Sequence, residues 1–136
     1  MADYFTHFSC LLDVGTPENA AQALVLFAAL AEDEEVEVRT DGFAVSIDEP
    51  GSGRLWIRDD GSGDPEQVIG FVRRCAGAFG LAGRWGFQYA TTCSRPRLDA
   101  FGGGAHVLDL ATGETLDWTS TGDWLASVLA GDDPDA

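Results

Sequence analysis

Arg84 to Leu110 reads RWGFQYATTCSRPRLDAFGGGAHVLDL. Trp85, Phe87 and Tyr89 recur at every second position, the period of a strand with one apolar face. Ala105 to Leu110 reads as a second strand. Between them, Thr91 to Gly104 reads as a long loop. It holds Cys93, three consecutive glycines, and Arg95 and Arg97, two of only eight basic residues. A loop of that length inside a small domain is usually functional or mobile.

The hairpin sets the reading of what flanks it. Downstream, Ala105–Leu110 and Thr115–Thr119 pair across Ala111-Thr112-Gly113-Glu114, and Thr121 opens a last helix with Trp124, Leu125, Val128 and Leu129 inward. Upstream, Asp64-Pro65-Glu66 places a cap, a proline and an acid where a helix begins. That helix runs to about Phe79, burying Val68, Phe71, Val72, Cys75 and Phe79, and Gly80 suits its exit. Leu55–Ile57 is a short strand before it.

The first third of the chain follows the same plan. Phe8 to Val14 alternates as a strand, Gly15-Thr16-Pro17-Glu18 caps a helix, and that helix reaches about Glu32. Val36 and Val38 then alternate with charged residues, Asp41-Gly42 signals a hairpin, and Phe43, Val45 and Ile47 return. The expected fold is α+β: a mainly antiparallel sheet of six or seven strands with two or three helices on one face. The two strand–turn–Pro-Glu–helix segments read either as two βαββ units or as capping chemistry that recurs in unrelated helices. Residues 1–130 form one domain, and 131–136 form an acidic tail.

Charge is the compositional outlier. There are 23 acids against 8 bases, for a net charge of −15. Every base is arginine, so the chain has no lysine for a Schiff base or a phosphate loop. This balance opposes direct binding to nucleic acid or an anionic membrane and favours a basic protein partner. No apolar run is long enough to span a bilayer, and the N-terminus has no export signal, so a cytoplasmic protein with free thiols at Cys10, Cys75 and Cys93 is expected.

Eight acids lie between Glu32 and Glu49 with Arg39 as the only base among them. Glu32, Asp33, Glu34, Glu35, Glu37, Asp41, Asp48 and Glu49 are therefore the candidate partner-binding residues. A charged edge strand that resists aggregation explains them equally well. Carboxylates two apart on a strand are ~6.6 Å apart, while DNA carries one charge about every 3.4 Å per strand. One strand face thus supplies about half the density that nucleic-acid mimicry needs.

The loop offers a second candidate site. Arg95 and Arg97 favour a Cys93 thiolate, His106 or His7 is the available base, and Asp99 can orient it. The glycine run precedes a strand rather than a helix, so a phosphate cradle lacks its helix-dipole component. Asp59 to Glu66 does not meet the calcium-loop spacing. No metal or cofactor is expected, and no residue is assigned a catalytic role. Trp85, Trp118 and Trp124 read as core anchors, with Trp56 as either a buried or a binding aromatic.

The repeated strand–helix–strands order resembles the paired βαβββ modules of the vicinal oxygen chelate proteins, with His7 just before the first strand, where that family often places a metal ligand. No matching acid ligand accompanies it, so the resemblance extends to topology and not to metal catalysis. The leading expectation is a non-enzymatic acidic module that binds a basic protein, by analogy with anti-restriction, anti-CRISPR or immunity proteins. The alternatives are a small-molecule site or enzyme built on the 91–104 loop, and a homodimer formed through Trp56 or the last helix.

Overall fold

A computed structural model of the chain describes residues 4–32, 40, 42–96 and 101–131. In chain order the elements are β1 (Tyr4–His7), β2 (Ser9–Asp13), α1 (Pro17–Glu32), β3 (Phe43–Ile47), β4 (Arg54–Asp59), α2 (Pro65–Phe79), β5 (Arg84–Cys93), β6 (Gly102–Asp109), β7 (Thr115–Ser120) and α3 (Thr121–Leu129). The fold is α+β, and every strand pairing is antiparallel.

The expected single sheet is divided in two, with orders β1-β5-β6-β7 and β2-β4-β3. The division falls at Phe8, between β1 and β2. There the Phe8 amide donates to the Asp59 carboxylate at 2.8 Å instead of to a neighbouring carbonyl. On the other side of the run, the Trp85 indole N–H donates to the Leu11 carbonyl at 2.8 Å. Side chains have replaced ladder bonds at both places, which interrupts regular pairing without parting the strands.

α1 joins β2 to β3, which flank β4, and α2 joins β4 to β5, which flank the β1–β2 run. Each helix thus connects two parallel strands across a third, the split β-α-β arrangement. Of the two proposed βαββ units, β3 of the first pairs with β4, which opens the second. The expected strand around Val36 and Val38 lies outside the described residues.

Alternation on the strands selects the covered face. Leu12, Leu55, Ile57, Trp85, Phe87 and Leu108 are buried, while Leu11 and Trp56 between them are exposed. Under the helices, Phe27 of α1 and Phe71 of α2 meet Phe43 of β3 at centroid distances of 5.2 and 6.2 Å. Phe8 packs edge-on to Phe87. It also fixes Gly63, where a Cβ would stand 2.5 Å from the Phe8 ring.

The caps follow the sequence. Thr16 Oγ1 accepts from the Asn19 amide, Asp64 from Glu66 and Ser120 from Asp123. Gly80 closes α2 at φ +62°. Two expectations fail. β5 runs to Cys93 and β6 begins at Gly102, so the connection is 94–101 and the glycine run lies in a strand. α3 has no buried residue, and Trp118 and Trp124 are 60% and 54% exposed, so they are not core anchors. Only Trp85 fills that role. No helix among the described residues is long and apolar enough to cross a membrane.

Phe71 is fully buried and touches aromatic rings from both α1 and β3. Phe71→Ala is expected to cost about 3–5 kcal/mol of unfolding free energy, read as a lower urea midpoint at unchanged slope.

Candidate functional site

α2 carries two longitudinal stripes. Val68, Phe71, Val72 and Cys75 face the central strands and are buried. Glu66, Ile69, Gly70, Arg73 and Arg74 follow the adjoining i, i+3/i+4, i+7/i+8 line and overhang β6 and β7. Beneath that overhang is a cleft of about 680 Å³, bounded by Arg73 and Arg74 on the helix and by His106 and Thr115 on the strands. It continues into a lobe of about 390 Å³ walled by Pro65, Tyr89 and Trp118. Glu66, Ile69, His106 and Thr115 border both parts.

The register assembles these walls. Phe87 faces His106, His106 faces Trp118, and Tyr89 faces Gly104, so all lie on the helix side of the sheet. Gly104 is required there because an added Cβ would sit 2.5 Å from the Thr119 carbonyl oxygen and 2.6 Å from the Tyr89 hydroxyl. Gly104 thus leaves room for the phenol.

The polar groups are ordered. Arg73 Nε donates to the Gly113 carbonyl at 2.7 Å, and its Nη2 donates to Thr115 Oγ1 at 3.3 Å. Thr115 Oγ1 is also 2.7 Å from His106 Nε2. A hydroxyl oxygen can accept two hydrogen bonds while donating one, so this contact forms with either imidazole tautomer. Burial lowers the His106 pKa below 6.5, the Arg73 charge lowers it further, and Glu66 partly offsets both. His106 is neutral at pH 7. Arg73 has no carboxylate partner among the described residues, and Arg74 has no hydrogen-bond or ion-pair partner among them.

A second cluster lies on the helix-free face. His7 Nδ1 donates to Asp59 Oδ2 at 3.1 Å, and His7 Nε2 is 3.2 Å from Thr92 Oγ1. Burial raises the Asp59 pKa, but hydrogen bonds from Phe8, His7 and Gly61, with the His7 charge, reverse this and hold it below 3.8. The order acid–imidazole–hydroxyl matches a nucleophile relay. However, His7 is half exposed and borders none of the clefts described above. What the cluster does in the fold is tie β1, β4 and β5 together.

Cys93 of the expected loop site is not brought to either histidine. Cys93 lies opposite Tyr4 and His106 opposite Phe87. The two are six residues apart along β5, about 20 Å at ~3.3 Å per residue. His7 faces Ala90, and its side chain lies on the Thr92 side of the sheet, away from Cys93. Neither imidazole can serve as its base. Arg95 is exposed, and Arg97 and Asp99 lie outside the described residues. Burial pushes the Cys10 and Cys75 thiols up to about 12, so both are inert packing groups.

Of the acidic set, Glu32 is exposed at the end of α1. Asp48 and Glu49 share Arg54 Nη2 at 3.2 and 3.5 Å. Asp33, Glu34, Glu35, Glu37 and Asp41 lie outside the described residues. Of the cleft, sequence reasoning singled out only His106 as a candidate site residue. The missed signal was Arg73-Arg74: adjacent cations beside the apolar stripe of a helix, in a chain with eight bases. No protein-family model, curated protein sequence or solved structure matches the chain.

Two titrations follow from this geometry. His106 is held below 6.5, so the unfolded chain takes up the proton first, and stability falls as pH drops through that range. His106→Gln is expected to flatten that part of the stability curve. Asp59, held below 3.8, contributes stability that is lost only in stronger acid, and Asp59→Asn should flatten that part instead. Urea unfolding across pH reads both.

Proposed function

We propose that the protein binds a small molecule in the cleft between α2 and the β6–β7 hairpin. The supporting observation is a concave site lined by convergent polar groups, with two arginines lacking carboxylate partners among the described residues. Known ligand sites occupy about 300–1,000 Å³, apolar-walled with a few placed polar groups. Both parts of this cleft fall within that range. Ile69, Tyr89 and Trp118 supply apolar wall, and Arg73, His106 and Thr115 supply donors and an acceptor.

Nitrogen-15 NMR with mixtures of aromatic acids, amines and neutral compounds tests this reading. Shifts are expected to gather at Ile69, Gly70, His106, Thr115 and the Trp118 indole. Trp118→Ala should weaken the best compound severalfold while changing stability by about 0.5 kcal/mol or less, as exposed substitutions do. Shifts that avoid the cleft would refute the reading.

A second reading makes the carboxylates the working surface, with a basic, nucleic-acid-handling protein as partner. Its support is that Arg54 with Asp48 and Glu49 is the only arginine–carboxylate pairing among the described residues, in a chain of net charge −15. Such binding weakens steeply with added salt. Charge reversal at Glu35 and Glu37 should slow association with a partner captured from source cells, and an unchanged rate would exclude that face.

A further inference from the structure

We infer that the ligand of the α2–hairpin cleft is a small organic acid carrying a flat ring, seated with its carboxylate at Arg73 and Arg74 and its ring against Tyr89 and Trp118. The inference rests on the small-molecule reading and adds the chemical class and the orientation.

The acid end follows from donor counting. A guanidinium offers five N–H groups. Arg73 uses its Nε–H on Gly113 and one Nη2–H on Thr115. The Nη1–Nη2 edge is left with two parallel donors, the fork that a carboxylate takes in bidentate fashion. Those same two contacts hold the fork in place before any ligand arrives, which lowers the ordering cost of binding. Arg74 adds a second positive charge at the same end.

His106 borders both parts of the cleft. Its Nε2 is engaged with Thr115. Burial and the Arg73 charge both favour the uncharged ring, so the positive charge at this end comes from the arginines.

The ring end follows from the other lobe. Pro65 and Ile69 line the helix side, and Tyr89 and Trp118 the sheet side. Aromatic groups prefer such offset and edge-on surroundings. Glu66 borders both parts. It repels a carboxylate placed near it and accepts from a ring N–H or hydroxyl, so it sets the direction in which the ligand lies. From Glu66 to Arg73 is seven residues of helix, about 10 Å at ~1.5 Å per residue, a span suited to a bicyclic ring with a short acidic arm. The net charge of −15 opposes any anion at long range. Screening confines that opposition to about 8 Å at physiological salt, so the two arginines decide the sign at contact.

The test uses three probes on the full chain at pH 7.5, followed by NMR shifts and calorimetry: indole-3-acetate, tryptamine and acetate. Indole-3-acetate should shift the cleft residues and bind at least about tenfold tighter than tryptamine, since a charge-assisted bidentate contact is of that order, and tighter than acetate, which has no ring for the aromatic lobe. Arg73→Gln and Arg74→Gln should each weaken it severalfold. Arg73→Gln can also loosen the Gly113 turn, so Arg74→Gln, whose side chain has no described partner, is the decisive variant. Tryptamine binding in the cleft as tightly as indole-3-acetate would overturn the acid class and leave small-molecule binding standing. So would an unchanged affinity in Arg74→Gln. Shifts from all three probes confined to residues outside the cleft would overturn both.

Discussion

The width of a helix is the constraint on which this structure turns. A helix with its side chains is about 10 Å across, and strands lie about 4.8 Å apart, so one helix covers roughly two strands. α1 and α2 therefore seat over β3, β4, the β1–β2 run and β5, where Phe27, Phe43, Phe71 and Phe87 close the core. Two further strands, β6 and β7, continue the sheet past the helices. α3 touches β6 and β7 but contributes no buried residue. The overhang of α2 above these strands is the cleft. It follows from the count of layers rather than from any special loop.

Much of this was legible in the sequence because it rests on local rules. Thr16-Pro17 and Asp64-Pro65 announce helix starts, and the alternation of Trp85, Phe87 and Tyr89 announces both the strand and its inner face. What was not legible is set by partners distant in sequence. The strand β1 escaped notice because Tyr4 to His7 has no apolar alternation of its own; its place is set by pairing with β5 some eighty residues later. α3 has an amphipathic pattern, yet its apolar residues remain exposed. Periodicity reports that a face is apolar, not that anything lies against it.

The candidate site divides along the same line. Cys93, His7 and His106 have the chemistry of a nucleophile and its bases, and their nearness in type invited a site. Register decides otherwise: a strand separates its residues by fixed steps and sends neighbours to opposite faces. The same register that parts Cys93 from His106 brings His106 to Trp118 and, through Thr115, to Arg73 of α2. Arg73-Arg74 is an ordinary exposed pair on a helix until the hairpin is placed below it.

The excess of acid gives that pair added weight. In a chain where acids outnumber bases by 23 to 8, an arginine near the surface has many carboxylates to meet. Arg54 meets two of them, and Arg58 lies over the Trp56 ring at 4.0 Å. Arg73 instead bonds to a backbone carbonyl and a threonine hydroxyl, neither of which carries charge. Its positive charge is thereby positioned but not neutralised, next to an imidazole that burial keeps from adding a proton of its own. Arg73 and Arg74 thus place two positive charges on the cleft of a molecule of net charge −15, and Arg73 is held there by neutral partners. Such an arrangement supports the proposed anion site more than it does a purely solubilising surface.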